Sequence, residues 1–152
     1  MKRMIPIVLM LILLCGCVSY TDPVLESLPG EYQGTMYTCG GFQDYTDYGK
    51  YTCSGVTSEA LEGNPYFQVV TAEDIPVIEG YLENFEGWVE LSKDCDDCDL
   101  AEMYDFSWDT LKEGDWFYLY NKHPESTIPY SNYNLYYISL STRTVYYFHN
   151  NI

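Results

Sequence analysis

The sequence predicts an α+β domain: a small antiparallel sheet or partly open barrel with one main helix and a C-terminal β-hairpin. Three observations carry this expectation. The last third of the chain holds three short runs dense in Tyr, Phe, Ile and Val, residues that fit a pleated, half-buried surface. A single stretch near the middle repeats its apolar residues at helical spacing. The 17 Tyr, six Phe and three Trp supply large areas to bury, which a disordered chain of this acidity would lack.

The chain opens on a targeting pattern. Lys2 and Arg3 precede an apolar run of 11 residues, 4–14, too short for a bilayer core that needs about 20. The run ends in Leu14-Cys15-Gly16-Cys17. This resembles the lipobox of prokaryotic lipoproteins, with Leu at −3, a small residue at −1 and Cys at +1. The resemblance covers the first 17 residues. It implies a diacylglyceryl group on the Cys17 thiol, a cut just after Gly16, and Leu14 in the hydrophobic specificity position. Paired acyl chains anchor stably, at ~0.8 kcal/mol per buried CH₂. The alternative is an ordinary signal peptide cut nearby, or an uncleaved anchor. On the lipoprotein reading, residues 1–16 are the signal peptide, 17–27 a lipidated tether, and 28–152 one extracytoplasmic domain held at the cell membrane.

Within that domain, 28–41 (LPGEYQGTMYTCGG) enters through a Pro-Gly turn and alternates as a strand containing Tyr32, Thr35 and Tyr37. YTCGG at 37–41 returns as YTCSG at 51–55, offset by 14, around a polar, turn-rich segment. Folding back about Thr46 would set Cys39 opposite Cys53. Residues 56–64 read as a loop. Strand formers fill 66–70, and Thr71 with Asp74 makes a near capping box for a helix whose Ile75, Ile78, Leu82 and Phe85 share a face. Pro76 is tolerated in the first turn, and Gly80 weakens the helix. Gly87 is expected to end it before a short strand at 88–91. Runs 114–121, 134–141 and 144–150 are the final strands, the last two separated by Thr142 and Arg143. The polar link 122–133 is long enough to be a candidate binding edge.

If Cys17 carries lipid and Cys15 leaves with the signal peptide, Cys39, Cys53, Cys95 and Cys98 remain. An even number outside the cytoplasm suits two disulfides. The repeat favours Cys39–Cys53, and hence Cys95–Cys98; the other arrangement ties the 39/53 hairpin to the 95–98 loop by two bridges. A redox-active Cys-x-x-Cys is disfavoured, because Asp94, Asp96, Asp97 and Asp99 oppose thiolate formation. Four thiolates could cage zinc, but the spacing of 14 between Cys39 and Cys53 is unlike a zinc ribbon. The acidic loop 94–99 could take Ca²⁺ in an irregular way. An EF-hand starting at Asp94 would put Cys98 at its fifth position and lacks the glycine at the sixth. No metal or other cofactor is assigned.

Without residues 1–16 the chain keeps 23 acidic residues against five basic ones, a formal charge of −18. Such a surface repels phosphate backbones and anionic headgroups and suits cationic partners. Nucleic acid is therefore not an expected partner, and the membrane is reached through the lipid anchor. No nucleophile elbow, Walker loop, HExxH or Rossmann fingerprint occurs, and His123 and His149 are not at metal-ligand spacing. The expected role is binding, to an envelope protein or a carbohydrate. A small envelope hydrolase using paired carboxylates is the alternative. The binding surface is expected on the C-terminal hairpin. Alternation puts Ile138 and Leu140, with Val145, in the core and leaves Tyr137 and Tyr146 as exposed rings, flanked by Trp116 or Tyr118 of the preceding strand. Coverage of both sheet faces is the competing expectation.

Overall fold

The computed structural model of the chain describes residues 21–41 and 43–152. Cys15, Gly16 and Cys17, and with them the signal-peptide and lipidation assignments, lie outside the described residues. The elements are α1 (Pro23–Glu26), β1 (Tyr32–Gly40), β2 (Tyr45–Cys53), α2 (Ser58–Leu61), β3 (Gln68–Val69), α3 (Ile75–Ser92) and α4 (Leu100–Met103). A 3₁₀ turn (Trp108–Thr110), β4 (Trp116–Asn121), β5 (Asn132–Ser139) and β6 (Thr144–Asn151) complete them. The six strands form one open antiparallel sheet in the order β1-β2-β6-β5-β4-β3, so the expected α+β class, main helix and C-terminal hairpin are all present. Docking β6 beside β2 puts the last strand inside the sheet, and every residue from Thr144 to Asn150 is buried.

The β1–β2 register differs from the one the repeat suggested. Gly40 takes φ +123°, a region glycine enters without steric cost, and the Gly41 N–H donates to the Asp44 carbonyl at 2.9 Å to close the turn. Cys39 therefore faces Thr46, and Cys53 faces Tyr32. The Cys39–Cys53 pair does not form. The polar run 42–50 points to a turn about Thr46, but the turn comes earlier and the side chains from Tyr45 on alternate. Tyr45, Asp47, Gly49 and Tyr51 take one face of the sheet, and Thr46, Tyr48 and Lys50 the other.

Helix α3 also departs from expectation. It runs through Gly87 to Ser92, and no strand forms at 88–91. Ile78, Leu82, Phe85, Val89 and Ser92 are buried, a stripe that continues past the glycine. A glycine inside a helix costs about 1 kcal/mol, whereas burying a valine side chain contributes about 1.5 kcal/mol or more. Burial wins. At the start, the Thr71 backbone N–H and hydroxyl donate to Asp74 Oδ2 at 2.9 and 2.6 Å, so the carboxylate before the first turn ties down the residue three back.

Both faces of the sheet carry packed elements. Helices α3 and α4 lie over one, where Ile78, Leu82 and Phe85 pack with Tyr48, Leu135 and Phe148. On the other, Val24, Leu25, Leu61 and Phe67 pack with Trp116, Ile138 and Val145. Val24 and Leu25 thus belong to the fold, although 17–27 read as tether. The expected exposed rings are not exposed: Tyr137 is 0 %, Tyr146 7 % and Trp116 6 % accessible, while Tyr118 is half-buried. The alternation itself holds, with Ile138 opposite Val145 and Tyr137 opposite Tyr146. What fails is the choice of Tyr as the outward residue. A tyrosine ring can be buried wherever its hydroxyl finds a partner. The Tyr137 hydroxyl accepts from the Lys112 N–H at 3.0 Å and lies beside the Thr110 carbonyl and the Asp115 carboxylate. The long link before β5 is likewise fastened down, with Tyr130 edge-on to Tyr81 of α3 at 4.9 Å.

Candidate functional site

The face carrying Tyr45, Asp47, Gly49 and Tyr51 is only partly roofed. Beside α1 it opens into a cleft of about 500 Å³, a volume typical of small-molecule sites. Tyr32, Tyr45, Tyr51 and Tyr147 wall it, Asp22 and Leu25 border it from the N-terminal segment, and Asp47 and His149 line it from the sheet. Among the described residues, neither lysine nor arginine lines it. Gly49 shapes the wall. A Cβ there would lie 2.8 Å from a ring carbon of Tyr51 and 3.1 Å from Tyr147 Cβ, so its absence lets the Tyr51 ring lean over residue 49.

Asp47 and His149 are direct cross-strand neighbours, and both are more than nine-tenths buried. His149 Nδ1 lies 2.7 Å from the Tyr133 carbonyl, which can only accept. Nδ1 therefore carries the proton, and Nε2 of the neutral ring offers a lone pair. Burial pushes the imidazole below its ordinary 6.5, against the opposing pull of the Tyr133 carbonyl and the Asp47 charge. Burial likewise raises the Asp47 carboxyl above its ordinary range, with the Thr38 hydroxyl and His149 opposing. Among the described residues, neither His149 Nε2 nor Asp47 Oδ1 has a hydrogen-bond partner, and both atoms are closed off from solvent. Each such buried orphan costs about 1–3 kcal/mol.

Asp22 is held differently. Its Oδ1 caps α1 by accepting from the Val24 and Leu25 N–H groups at 2.9 and 3.4 Å, and its Oδ2 accepts from the Tyr136 hydroxyl at 2.5 Å. Both oxygens are in use, but the charge still faces the cleft. Burial, then the charge of Asp22, Tyr32 and Asp47, pushes the Tyr51 hydroxyl up to about 12. The cleft is thus a negative, aromatic-walled space, with two unpaired acceptors closed off behind its wall.

The buried imidazole predicts a pH dependence of stability. Its folded pKa lies below 6.5, so as pH falls below that value the unfolded chain binds a proton that the folded chain refuses. Stability is complete above pH 6.5 and is lost on acidification, with a slope of at most about 1.4 kcal/mol per pH unit. The raised Asp47 acts with the opposite sign, its contribution being present below pH 3.8 and lost as pH rises through its folded pKa. His149→Asn, whose amide can replace Nδ1–H, is expected to flatten the loss between pH 7 and 5 in denaturant titrations (~1 kcal/mol or less remaining).

The cysteines form a second cluster. Cys39 on β1 is bonded to Cys98 in the turn before α4, across a sequence separation of 59. Neither the expected Cys39–Cys53 nor Cys95–Cys98 bridge exists. Cys95 is exposed and free, and its sulfur lies within 4.8 Å of both bonded sulfurs. Cys53 is buried on the opposite face, its thiol donates to the Pro29 carbonyl at 3.2 Å, and burial pushes its pKa up. It cannot join the other three in a four-cysteine zinc cage. Among the described residues, no three carboxylates of 94–99 converge as calcium ligands.

None of Tyr137, Tyr146, Trp116 and Tyr118 lines the large cleft; Tyr118 borders a smaller adjoining hollow with Tyr66, Tyr120 and Tyr136. The residues that do line it left a faint trace in the sequence. Tyr45-x-Asp47-x-Gly49-x-Tyr51 and Tyr147-x-His149 each carry the period of a strand. That the two stretches meet depends on the β2–β6 register. No protein-family model, curated protein or solved structure matches the chain.

Proposed function

We propose that this chain is a membrane-anchored, extracytoplasmic lipoprotein whose domain works by binding a ligand in the tyrosine-walled cleft. The observation that carries the binding reading is the cleft of about 500 Å³ itself, walled by Tyr32, Tyr45, Tyr51 and Tyr147. Concave sites of this size with aromatic walls are where small ligands are usually bound. Hydrolysis by paired carboxylates is less well supported, because both oxygens of Asp22 are committed to the α1 cap and Tyr136. A panel of small cations, anions and neutral sugars, titrated into the full chain in detergent micelles, should include a solute that shifts the His149 ring resonances saturably. A panel without one overturns the binding reading.

The anchor rests on the lipobox-like Leu14-Cys15-Gly16-Cys17. Five residues from Cys17 to Asp22 span at most about 18 Å, so the cleft would meet its ligand close to the bilayer surface. Cys17→Ser should abolish labelling by a fatty-acid analogue and leave uncleaved precursor or released domain, whereas Cys15→Ser should change little. Equal lipid labelling and membrane retention after both substitutions would sink the anchor.

A further inference from the structure

We propose that Cys39, Cys95 and Cys98 form a three-thiolate site for zinc when the bridge between Cys39 and Cys98 is reduced. The site does not rest on the cleft or on the binding reading. Cys39 pairs with Thr46, so it takes the face of the sheet opposite Asp47. Two stretches bring the sulfurs together. Cys95 and Cys98 belong to a Cys-x-x-Cys turn after α3, a spacing that sets two sulfurs on one side of a metal ion. Strand β1 delivers Cys39 to that turn across a sequence separation of 59. All three sulfurs lie within 4.8 Å of one another. A disulfide uses two of them and leaves the exposed Cys95 without a role.

Tetrahedral zinc at about 2.3 Å from each sulfur holds the sulfurs roughly 3.8 Å apart, inside that limit. Once the bond is broken, the Cys39 and Cys98 side chains need only rotate away from each other, their Cα atoms being 5.3 Å apart. Thiolates select zinc or a softer ion over calcium and magnesium, which take oxygen. Asp94, Asp96, Asp97 and Asp99 surround the turn with negative charge. That charge opposes three thiolates without a cation and favours a divalent ion over a monovalent one. Cys39 and Cys95 also line a hollow of about 200 Å³ with Trp88 and Leu91, which gives an ion a route in from solvent. A dithiol opens the bridge by giving two hydrogens to Cys39 and Cys98 and leaving as its own disulfide. Zinc then displaces the three thiol protons to solvent. A disulfide oxidant reverses the loading: it takes two electrons from the Cys39 and Cys98 thiolates, leaves as two thiolates, and the ion is released.

The test follows the full chain in detergent micelles without oxygen, before and after reduction by a water-soluble phosphine. Cobalt(II) is the optical probe, because thiolate-to-cobalt charge transfer reports sulfur ligation. The reduced chain is expected to take one cobalt with that absorption and to exchange it for zinc, and the oxidised chain to show none. Cys95→Ser leaves the oxidised bridge intact and should weaken zinc binding by the reduced chain roughly 100-fold or more. Cys53→Ser, which changes a thiol buried on the other face, should bind as the unmodified chain does. If reduction unfolds the chain, melting decides: zinc should refold the reduced unmodified chain and raise its midpoint by about 5 °C or more, but not that of Cys95→Ser. A reduced, folded chain without the charge-transfer absorption overturns the site, as does an unfolded one that zinc does not refold. Equal zinc affinity in Cys95→Ser overturns the third ligand. An equal loss in Cys53→Ser means that zinc is held by thiols of the unfolded chain, and overturns the site too.

Discussion

Tyr137→Ala is expected to destabilise the domain by about 3–5 kcal/mol, at least as much as truncating Ile138 next to it. The ring is fully buried beneath Phe106, with centroids 6.0 Å apart and planes nearly perpendicular, so its removal leaves a cavity that neighbouring elements cannot close. The hydroxyl adds to the cost. Asp115 is itself buried, and its other oxygen accepts from the Leu140 N–H at 3.0 Å, which holds the start of the last turn. Without Tyr137, the Asp115 carboxylate and the Lys112 N–H both lose a partner. Tyr137→Phe separates the two effects by keeping the ring, and should cost about 1–3 kcal/mol. Denaturant midpoints of the two variants and of Ile138→Ala decide the matter. A loss below about 1 kcal/mol for Tyr137→Ala would contradict its burial.

Cys39→Ser is expected to lower stability under oxidising conditions by about 4 kcal/mol, the chain-entropy value for a closed loop of this length. Cys98→Ser should cost much less. Cys95 has its sulfur within 4.8 Å of Cys39 and can replace Cys98 in the bridge, closing a loop of nearly the same size. Peptide mapping of Cys98→Ser should then find Cys39 joined to Cys95. In the unmodified protein, alkylation of the folded chain should label Cys95 at once and Cys53 only on unfolding, because the Cys53 thiol is buried and bonded to Pro29. Equal large losses in both serine variants would mean that Cys95 does not substitute. Rapid labelling of Cys39 and Cys98 in the folded chain would contradict the bridge itself.

Much of the architecture could be read from local pattern, because the forces that select it act over a few residues. The spacing of Ile78, Leu82 and Phe85 specifies a helix with one apolar face, and the runs before and after Thr142-Arg143 specify an antiparallel hairpin. Errors arose where a local signal met a non-local one. Gly87 is a weak helix breaker and was overridden by the burial of Val89, which depends on a sheet lying beneath the helix. The polarity of 42–50 suggests a turn, yet pairing on both sides makes a strand from Tyr45 on.

The rest was decided by tertiary structure, for a physical reason common to each case. Alternation divides Tyr136 from Tyr137 but does not say which face another element will cover; α3 over one and α1 with α2 over the other buried both. Which cysteines bond follows from where β1 ends relative to the turn before α4, not from their repeat. Asp47 and His149 became neighbours because β6 returns to pair with β2, from opposite ends of the chain. Sequence determined the elements and their faces, since periodicity is local. Which groups met in the cleft depended on the register of distant strands, where a shift of one residue turns every side chain to the opposite face.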